Sequence, residues 1–379
     1  MRIALFSETF PPQRNGVAIL LERLVRHLAA AGHEVFIAST HDPRLDGAVT
    51  LPHGVTLAHV PGLPLYRYPD LRIAAPYSRR LGHAARAFRP DIVHVVTEYG
   101  LGLIGLGVAR RMGVPAVSSF HTNIPRYLPY YGFGWAAAPA WRYLRWFHNR
   151  TWGTYCPSEP IRAELIAREF RNVRLWARGV DTARFTPTHR SADVRRANGP
   201  PNALQLLYVG RLTPEKDLTV LFRAFERARG ARPGTPMHLV LAGDGAYSPK
   251  TRAAAPRDVT FTGYLEGDAL SRIYASSDVF VFPSRTETLG NVVLEALASG
   301  LPVIGAHEGG VPENVRDGVN GLLFEPGDAD ALAARILELA DHPGTRAALS
   351  ANARRWAETR TWDAAFGQLV AGYEEAARS

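Results

Sequence analysis

Glu287 and Glu295 stand eight positions apart in Phe282-Pro-Ser-Arg-Thr-Glu-Thr-Leu-Gly-Asn-Val-Val-Leu-Glu-Ala-Leu-Ala-Ser-Gly300. Val279–Phe282 is a continuous apolar run, which predicts a buried strand. Asn291–Ala298 is apolar almost all round, which predicts a buried helix closed by Gly300 and Pro302. Glu287 then lies in the loop at the strand's carboxyl end, where open α/β sheets bind ligands. Glu295 lies inside the helix and needs hydrogen-bond donors, because a buried unpaired carboxylate is costly. The helix start at Gly290 and Asn291 offers unpaired N–H groups and suits a phosphate. A lone pair of glutamates at this spacing is equally open to a structural reading, as carboxylates bonding local backbone.

A second group follows the apolar run that ends at Val209. Tyr208-Val-Gly-Arg-Leu-Thr-Pro-Glu-Lys-Asp217 places Arg211 and Lys216 five apart. Two cations at a strand's carboxyl end can neutralise a pyrophosphate and stabilise it as a leaving group. Lys216 and Lys250 are the chain's two lysines among 44 basic residues, so a compact point charge is wanted at position 216. In Ser7-Glu-Thr-Phe-Pro-Pro-Gln-Arg-Asn-Gly-Val17, Asn15-Gly16 gives a tight turn just before a helix start. His121 follows another strand-like run, in Phe120-His-Thr-Asn-Ile-Pro-Arg-Tyr127. Gly243-Asp-Gly245 lacks the spacing of a dinucleotide fingerprint and carries no cofactor assignment.

The elements that must position these groups alternate along the chain. Arg2–Phe6, Glu34–Ala38, Val55–Val60, Ile92–Val96 and Ala116–Phe120 read as parallel strands. Leu21, Leu24, Val25 and Leu28 recur at helical spacing within 18–31. The second half repeats the layout with strands at 205–209, 238–242, 259–262, 279–282, 302–304 and 321–324. The intervening stretch 186–202 is polar and rich in Pro and Asn, so it reads as a linker or domain edge. The expected fold is α/β, with two doubly wound halves around a cleft.

An apolar content of 46% with 21% charge places the 379-residue chain among globular proteins. A single cysteine, Cys156, excludes a disulfide framework or a cysteine metal site. No His or carboxylate cluster has metal-ligand spacing, no apolar run approaches a membrane span, and the start reads as a core strand; the expected compartment is cytoplasmic. Residues 1–185 carry 23 Arg and no Lys against 12 acidic residues, a net +11; the remainder has a net −2. Eleven aromatics fall between Tyr127 and Tyr155, interleaved with Arg142, Arg145 and Arg150. That stretch is open to two readings, a helix packed on the first domain's core or contact with an anionic membrane surface. Dispersed arginines without a nucleic-acid motif argue against nucleic acid as a partner.

With these motifs in place, the chain resembles the retaining glycosyltransferases of family 4, from Ser7 to Trp362. Its nearest likeness is to the branch that contains GDP-mannose-dependent mannosyltransferases and the sulfoquinovosyl- and glucosyl-transferases that use UDP-sugars. The resemblance implies the GT-B fold, two Rossmann-like domains facing a cleft. Residues 1–185 would form the acceptor side, 186–361 the donor domain, and 362–379 a helix crossing back to the first domain. It implies transfer of a hexose, best matched by mannose from GDP-mannose, to an acceptor hydroxyl, with a soluble or lipid-linked acceptor. No metal and no other cofactor is implied. Donor contacts would come from Asn15, Gly16, Arg211, Lys216, Glu287, Leu289, Gly290, Asn291 and Glu295. Glu287, His121, Arg211 and Lys216 would serve the chemistry, with the His121 main-chain carbonyl beside the sugar. Glu8, Asn123 and Tyr127 would meet the acceptor; Asn123 stands where the family usually has Asp. Arg178–Phe185 and Gly309–Glu313 match the family's crossover segment and a loop beside the donor. A nucleotide-sugar epimerase of the same fold is the alternative from another class.

Overall fold

The structure is a computed structural model that describes residues 1–13, 15–43, 49–65, 68–245 and 247–379. In chain order the first elements are β1 (Arg2–Phe6), α1 (Gly16–Ala30), β2 (Glu34–His41), β3 (Val55–Leu65), β4 (Tyr68–Ala74), α2 (Arg79–Ala87), β5 (Ile92–Val95), α3 (Gly100–Met112) and β6 (Ala116–Ser119). A one-turn α4 (Ile124–Tyr127) precedes α5 (Ala137–His148), β7 (Gly153–Cys156), α6 (Glu159–Ala167) and β8 (Val173–Leu175). Then come α7 (Ala192–Asn198), β9 (Leu204–Val209), α8 (Leu218–Ala231), β10 (Met237–Ala242), α9 (Ser248–Ala253), β11 (Val259–Gly263), α10 (Gly267–Ser276) and β12 (Val279–Phe282). The last are α11 (Asn291–Ala298), β13 (Val303–Ala306), α12 (Val311–Asn314), β14 (Gly321–Phe324), α13 (Ala329–Asp341), α14 (Pro343–Glu358) and α15 (Trp362–Arg378).

The chain divides into two compact units. One holds Met1–Thr122, Ala138–Ala177 and Asp363–Ser379; the other holds Asn123–Ala137 and Arg178–Trp362. The stretch Asn123–Ala137, expected within 1–185, therefore belongs to the second unit. The main crossing falls at Arg178 rather than at residue 186.

In the first unit the strand order is β4-β3-β2-β1-β5-β6-β7-β8. All pairs are parallel except β3 with β4, an antiparallel edge that the sequence reading omitted together with β7 and β8. The second unit holds β11-β10-β9-β12-β13-β14, parallel throughout, at the six expected places. Strand order reverses beside β1 in the first sheet and beside β9 in the second. Such a reversal leaves a crevice at the strands' carboxyl ends. The continuous apolar runs arise because helices cover both faces, and nearly every residue of β9, β10, β12 and β13 is buried.

Residues 186–202 are not a bare linker. Ser191 caps α7, and Arg195 reaches both carboxylate oxygens of Asp278 at 3.0 and 2.8 Å. α15 belongs to the first unit because its apolar face is buried there, through Phe366, Leu369 and Tyr373. His94 on β5 is fully buried and bonds the Tyr373 hydroxyl at 2.5 Å and Ser119 Oγ at 2.6 Å. Removing one partner of a buried hydrogen bond costs about 1–3 kcal/mol. Tyr373→Phe should lower stability by that amount, read from the urea midpoint; an unchanged midpoint would deny the hydroxyl a role in fastening α15.

Candidate functional site

In the second unit, the loops after the adjacent strands β9 and β12 meet. After β9 the chain turns at Gly210 (φ 154°), and a Cβ on Gly243 would sit 1.9 Å from the Gly210 carbonyl oxygen. Gly243 is therefore required for close loop packing, which Leu212 N–H completes by donating to the Asp244 carbonyl at 3.0 Å. A 3₁₀ turn over Pro214–Lys216 leads to Asp217 in the left-handed region, and α8 begins.

Lys216 is buried and donates its ammonium to Glu287 Oε1. Ser284 Oγ lies 3.3 Å from the same oxygen. Burial pushes the Glu287 carboxyl up, but Lys216, Arg211 and Ser284 together outweigh it and hold the group below its ordinary range. Glu287 is thus a carboxylate already matched with a cation. The loop that carries it is pinned by Gly310 N–H, which donates to the Glu287 carbonyl at 2.8 Å. A Cβ on Gly309 or Gly310 would approach the carbonyl oxygens of Glu287 and Thr288 to 2.4 and 2.1 Å. The Gly309-Gly310 pair is what lets α12 seat against this loop.

The loop ends at Leu289, buried, and Gly290 at φ 81°, which starts α11 with no side-chain cap. The first N–H groups of α11, beginning at Asn291, carry the positive end of the helix dipole. Glu295 lies one turn further along, half-buried, and accepts from the Tyr274 hydroxyl at 3.1 Å. Tyr274 is fully buried; desolvation and then Glu295 push its hydroxyl well above the usual tyrosine range, so it stays a donor.

Of the acceptor candidates, Tyr127 joins this group: its hydroxyl bonds Thr286. Desolvation, Glu287 and Glu215 raise it well above the usual range. Asn123 is buried at the start of α4 in the same unit. His121, Asn15, Gly16 and Glu8 belong to the other unit. The His121 ring packs against Trp176 at 5.6 Å. Asn15 is the N-cap of α1: its Oδ1 accepts from Val17 N–H at 3.1 Å and Ala18 N–H at 2.9 Å, so Gly16 is the first helical residue. Arg14 lies outside the described residues.

Glu8 follows β1 and meets the loop after β5. Its Oε1 accepts from Leu101 N–H at 2.7 Å, at the start of α3, and its Oε2 accepts from Thr97 Oγ1. Burial raises its carboxyl to about 7 against the opposing pull of those hydrogen bonds, and Glu98 adds to the rise. Among the described residues no group of three His, Cys, Asp or Glu is placed to hold a metal, and no helix is long and apolar enough to cross a membrane.

Two family models match the sequence, "Glycosyltransferase Family 4" over residues 14–184 and "Glycosyl transferases group 1" over 203–342. A GDP-mannose-dependent alpha-mannosyltransferase of Mycobacterium tuberculosis is 36% identical over 375 residues, covering 99% of this chain and 96% of that one. The chain belongs to glycosyltransferase family 4. A further relative of this family 4 enzyme is the sulfoquinovosyl transferase SQD2 of Arabidopsis thaliana, 34% identical over 97% of this chain and 72% of its own length. The solved structure of Anabaena HepE in complex with UDP and glucose superposes with a TM-score of 0.78, covering 99% of this chain and all of that one at 19% identity. The fold is GT-B.

For this family 4 glycosyltransferase the motifs name Lys216, Arg211, Glu287, Gly290 and Glu295; the structure sets Glu215 against Arg211, Ser284 against Glu287 and Tyr131 against Glu215, three residues to which the motifs assign no role. Ser284 sat in the quoted motif; Glu215 sat beside Lys216, and adjacency to a cation was the available signal. For Glu8, the raised carboxyl means that folding favours its neutral form. Its contribution to stability is complete below the ordinary value of 4.5 and is lost as pH rises through about 7. The loss is on the order of 3 kcal/mol at 1.36 kcal/mol per pH unit. Glu8→Gln, which stays neutral, should flatten the fall of the urea midpoint between pH 5 and 7.5. Parallel wild-type and variant profiles would show that Glu8 titrates as an ordinary carboxylate.

Proposed function

We propose that this chain is a retaining, metal-independent hexosyltransferase that moves mannose from GDP-mannose to an acceptor hydroxyl at the cytoplasmic face of a membrane. The observation that carries the reading is the Lys216–Glu287 pair, set where strand order reverses between β9 and β12 and followed by the uncapped start of α11. The name of the M. tuberculosis relative supports the donor. Lys216 and Arg211 neutralise the departing diphosphate with the first N–H groups of α11. Glu287 exchanges its ammonium partner for sugar hydroxyls. Glu295, steadied by Tyr274, accepts from ribose hydroxyls. The acceptor hydroxyl attacks the face from which the diphosphate leaves, and the leaving oxygen takes its proton. Asn15, Gly16 and His121 keep the donor-side roles that the family resemblance implies, and Glu8, Asn123 and Tyr127 those at the acceptor.

These side chains leave the nucleobase unread, so a UDP-sugar is the competing donor. A thermal-shift panel of GDP- and UDP-sugars decides, because the preferred ligand stabilises the protein by mass action. With the preferred donor, Lys216→Ala should lose about 2–4 kcal/mol of transition-state stabilisation, a fall in kcat/KM of roughly 30- to 900-fold. Wild-type activity should persist in excess EDTA. An undiminished Lys216→Ala variant would overturn the clamp, and magnesium-reversible loss in EDTA would overturn metal independence. Turnover of the nucleotide sugar without any acceptor would replace transfer by epimerisation.

The membrane part rests on α5. One face buries Leu144, Phe147 and His148. Beside that face Tyr143 and Trp146 are exposed by 37% and 44%. Their rings stack at 5.8 Å, and the Arg150 guanidinium lies 4.1 Å over Trp146. Pro139, Arg142, Tyr143 and Trp146 line a surface cavity of about 460 Å³. Aromatic rings with arginines suit the headgroup region of an anionic bilayer. The protein should co-sediment with phosphatidylglycerol vesicles at low salt and not with phosphatidylcholine vesicles, and Trp146→Glu should abolish the effect. Equal sedimentation with both vesicle types, or none with either, would remove the membrane from the proposal.

A further inference from the structure

Glu215 has no exposed surface, although its side chain is polar and stands next to the clamp lysine. A buried carboxylate persists only where its lone pairs are used. Oε1 accepts from Thr213 Oγ1 at 2.7 Å and from an Arg211 guanidinium nitrogen at 3.4 Å, and Oε2 accepts from the Tyr131 hydroxyl at 2.8 Å. The residue's carbonyl faces the other loop, with Ser284 Oγ at 3.3 Å and Thr286 Oγ1 at 3.5 Å. Ser284 Oγ is also 3.3 Å from Glu287 Oε1, so its single proton serves one of the two acceptors at a time. One residue thus touches both loops of the donor site.

Tyr131 comes from the stretch Asn123–Ala137, which is fastened to the second unit elsewhere too. Arg126 pairs with Glu308 at 2.7 Å, and the Tyr130 hydroxyl bonds Asp217, which holds Arg285 Nε at 2.6 Å. Tyr131 is therefore presented to Glu215 by a braced segment. Arg211, by contrast, is 46% exposed at its side chain, and a long side chain on the surface loses about 2 kcal/mol of rotamer freedom when it is fixed. A carboxylate four residues on, itself held by Thr213 and Tyr131, removes part of that cost before any ligand arrives.

We infer that Glu215 is a positioning residue of this site, acting through Arg211 to preset the guanidinium for a nucleoside diphosphate, with Tyr131 locking the carboxylate in place. The inference rests on the donor-site reading proposed above. A merely structural Glu215 would weaken binding equally whether or not Arg211 is present; a positioning Glu215 would not.

The test is a double-mutant cycle on the full chain with Glu215→Gln, Arg211→Ala and the double variant, titrating GDP and UDP by calorimetry. Glu215→Gln should weaken the better-bound nucleotide about tenfold in the Arg211 background and less than about threefold in the Arg211→Ala background. Tyr131→Phe should give a smaller loss with the same dependence on Arg211. Equal factors in both backgrounds, or no loss at all, would overturn the inference while leaving the donor site standing. Failure of the wild-type protein to bind either nucleotide would overturn the donor-site reading and this inference with it. If Glu215→Gln does not fold, Tyr131→Phe is taken through the same cycle under the same criterion, since it removes only one half-buried hydroxyl.

Discussion

The ion pair between Lys216 and Glu287 sets the terms for everything around it. Each partner alone would be a charge held largely out of water, and breaking such a pair from one side costs about 3–5 kcal/mol. The two loops must therefore stay within reach of each other, and the surrounding sequence serves that need. Tyr208 and Phe282 stack at 6.3 Å beneath the pair, and the ammonium sits 5.8 Å from the Phe282 ring centre. Gly309 and Gly310 are bare of side chains because the Glu287 loop occupies the space where a Cβ would stand. The result is a site whose charges are ordered in advance, the condition under which electrostatic stabilisation of a leaving group is largest.

The same topological rule operates in both units with opposite electrostatic results. Glu8 follows β1 and Thr97 follows β5, the neighbours at the first reversal; Lys216 follows β9 and Glu287 follows β12, the neighbours at the second. Burial raises the carboxyl in each case. Glu8 has only hydrogen-bond donors against that push and a second carboxylate, Glu98, adding to it, so it rises to about 7. Glu287 faces Lys216 and Arg211, and it falls. The presence of a cation, not the degree of enclosure, decides which carboxylate is charged.

What could be read in the sequence followed from how completely an element is covered. Strands buried on both faces announce themselves as apolar runs, which is why β9, β10, β12 and β13 were legible. β7 reads Gly153-Thr-Tyr-Cys156 and β8 has three residues, so neither offers a period; β4 contains Pro69 and Asp70 and is tolerated because it is an antiparallel edge. α7 is polar and reads as a linker or domain edge; Arg195 ties it to Asp278, about 80 positions away. The same distance in sequence hid Glu215. Its neighbour Lys216 was visible as a cation at a strand end, but the reason for a carboxylate beside it lies in Tyr131, 84 residues earlier. Local pattern exposes groups whose task follows from their own position, and it is blind to groups whose task is to hold another.

The choice of lysine at 216 follows from the same pair. Arginine supplies 42 of the chain's 44 basic residues, so a lysine here is set against a strong bias. An arginine facing Glu287 could form a planar two-bond fork with the carboxylate, a geometry that resists exchange. An ammonium is a point charge on a rotating stem, and it can leave one oxygen for another without breaking a matched plane. It lies 5.8 Å from the Phe282 ring centre on a side chain that is 9% exposed. Under the proposed function, a site that holds its cation ready beside a carboxylate and then surrenders it to a diphosphate needs a partner that is strong in charge and weak in shape. On the same proposal Arg211, which remains half-exposed, bears the geometric part of recognition while Lys216 bears the exchange.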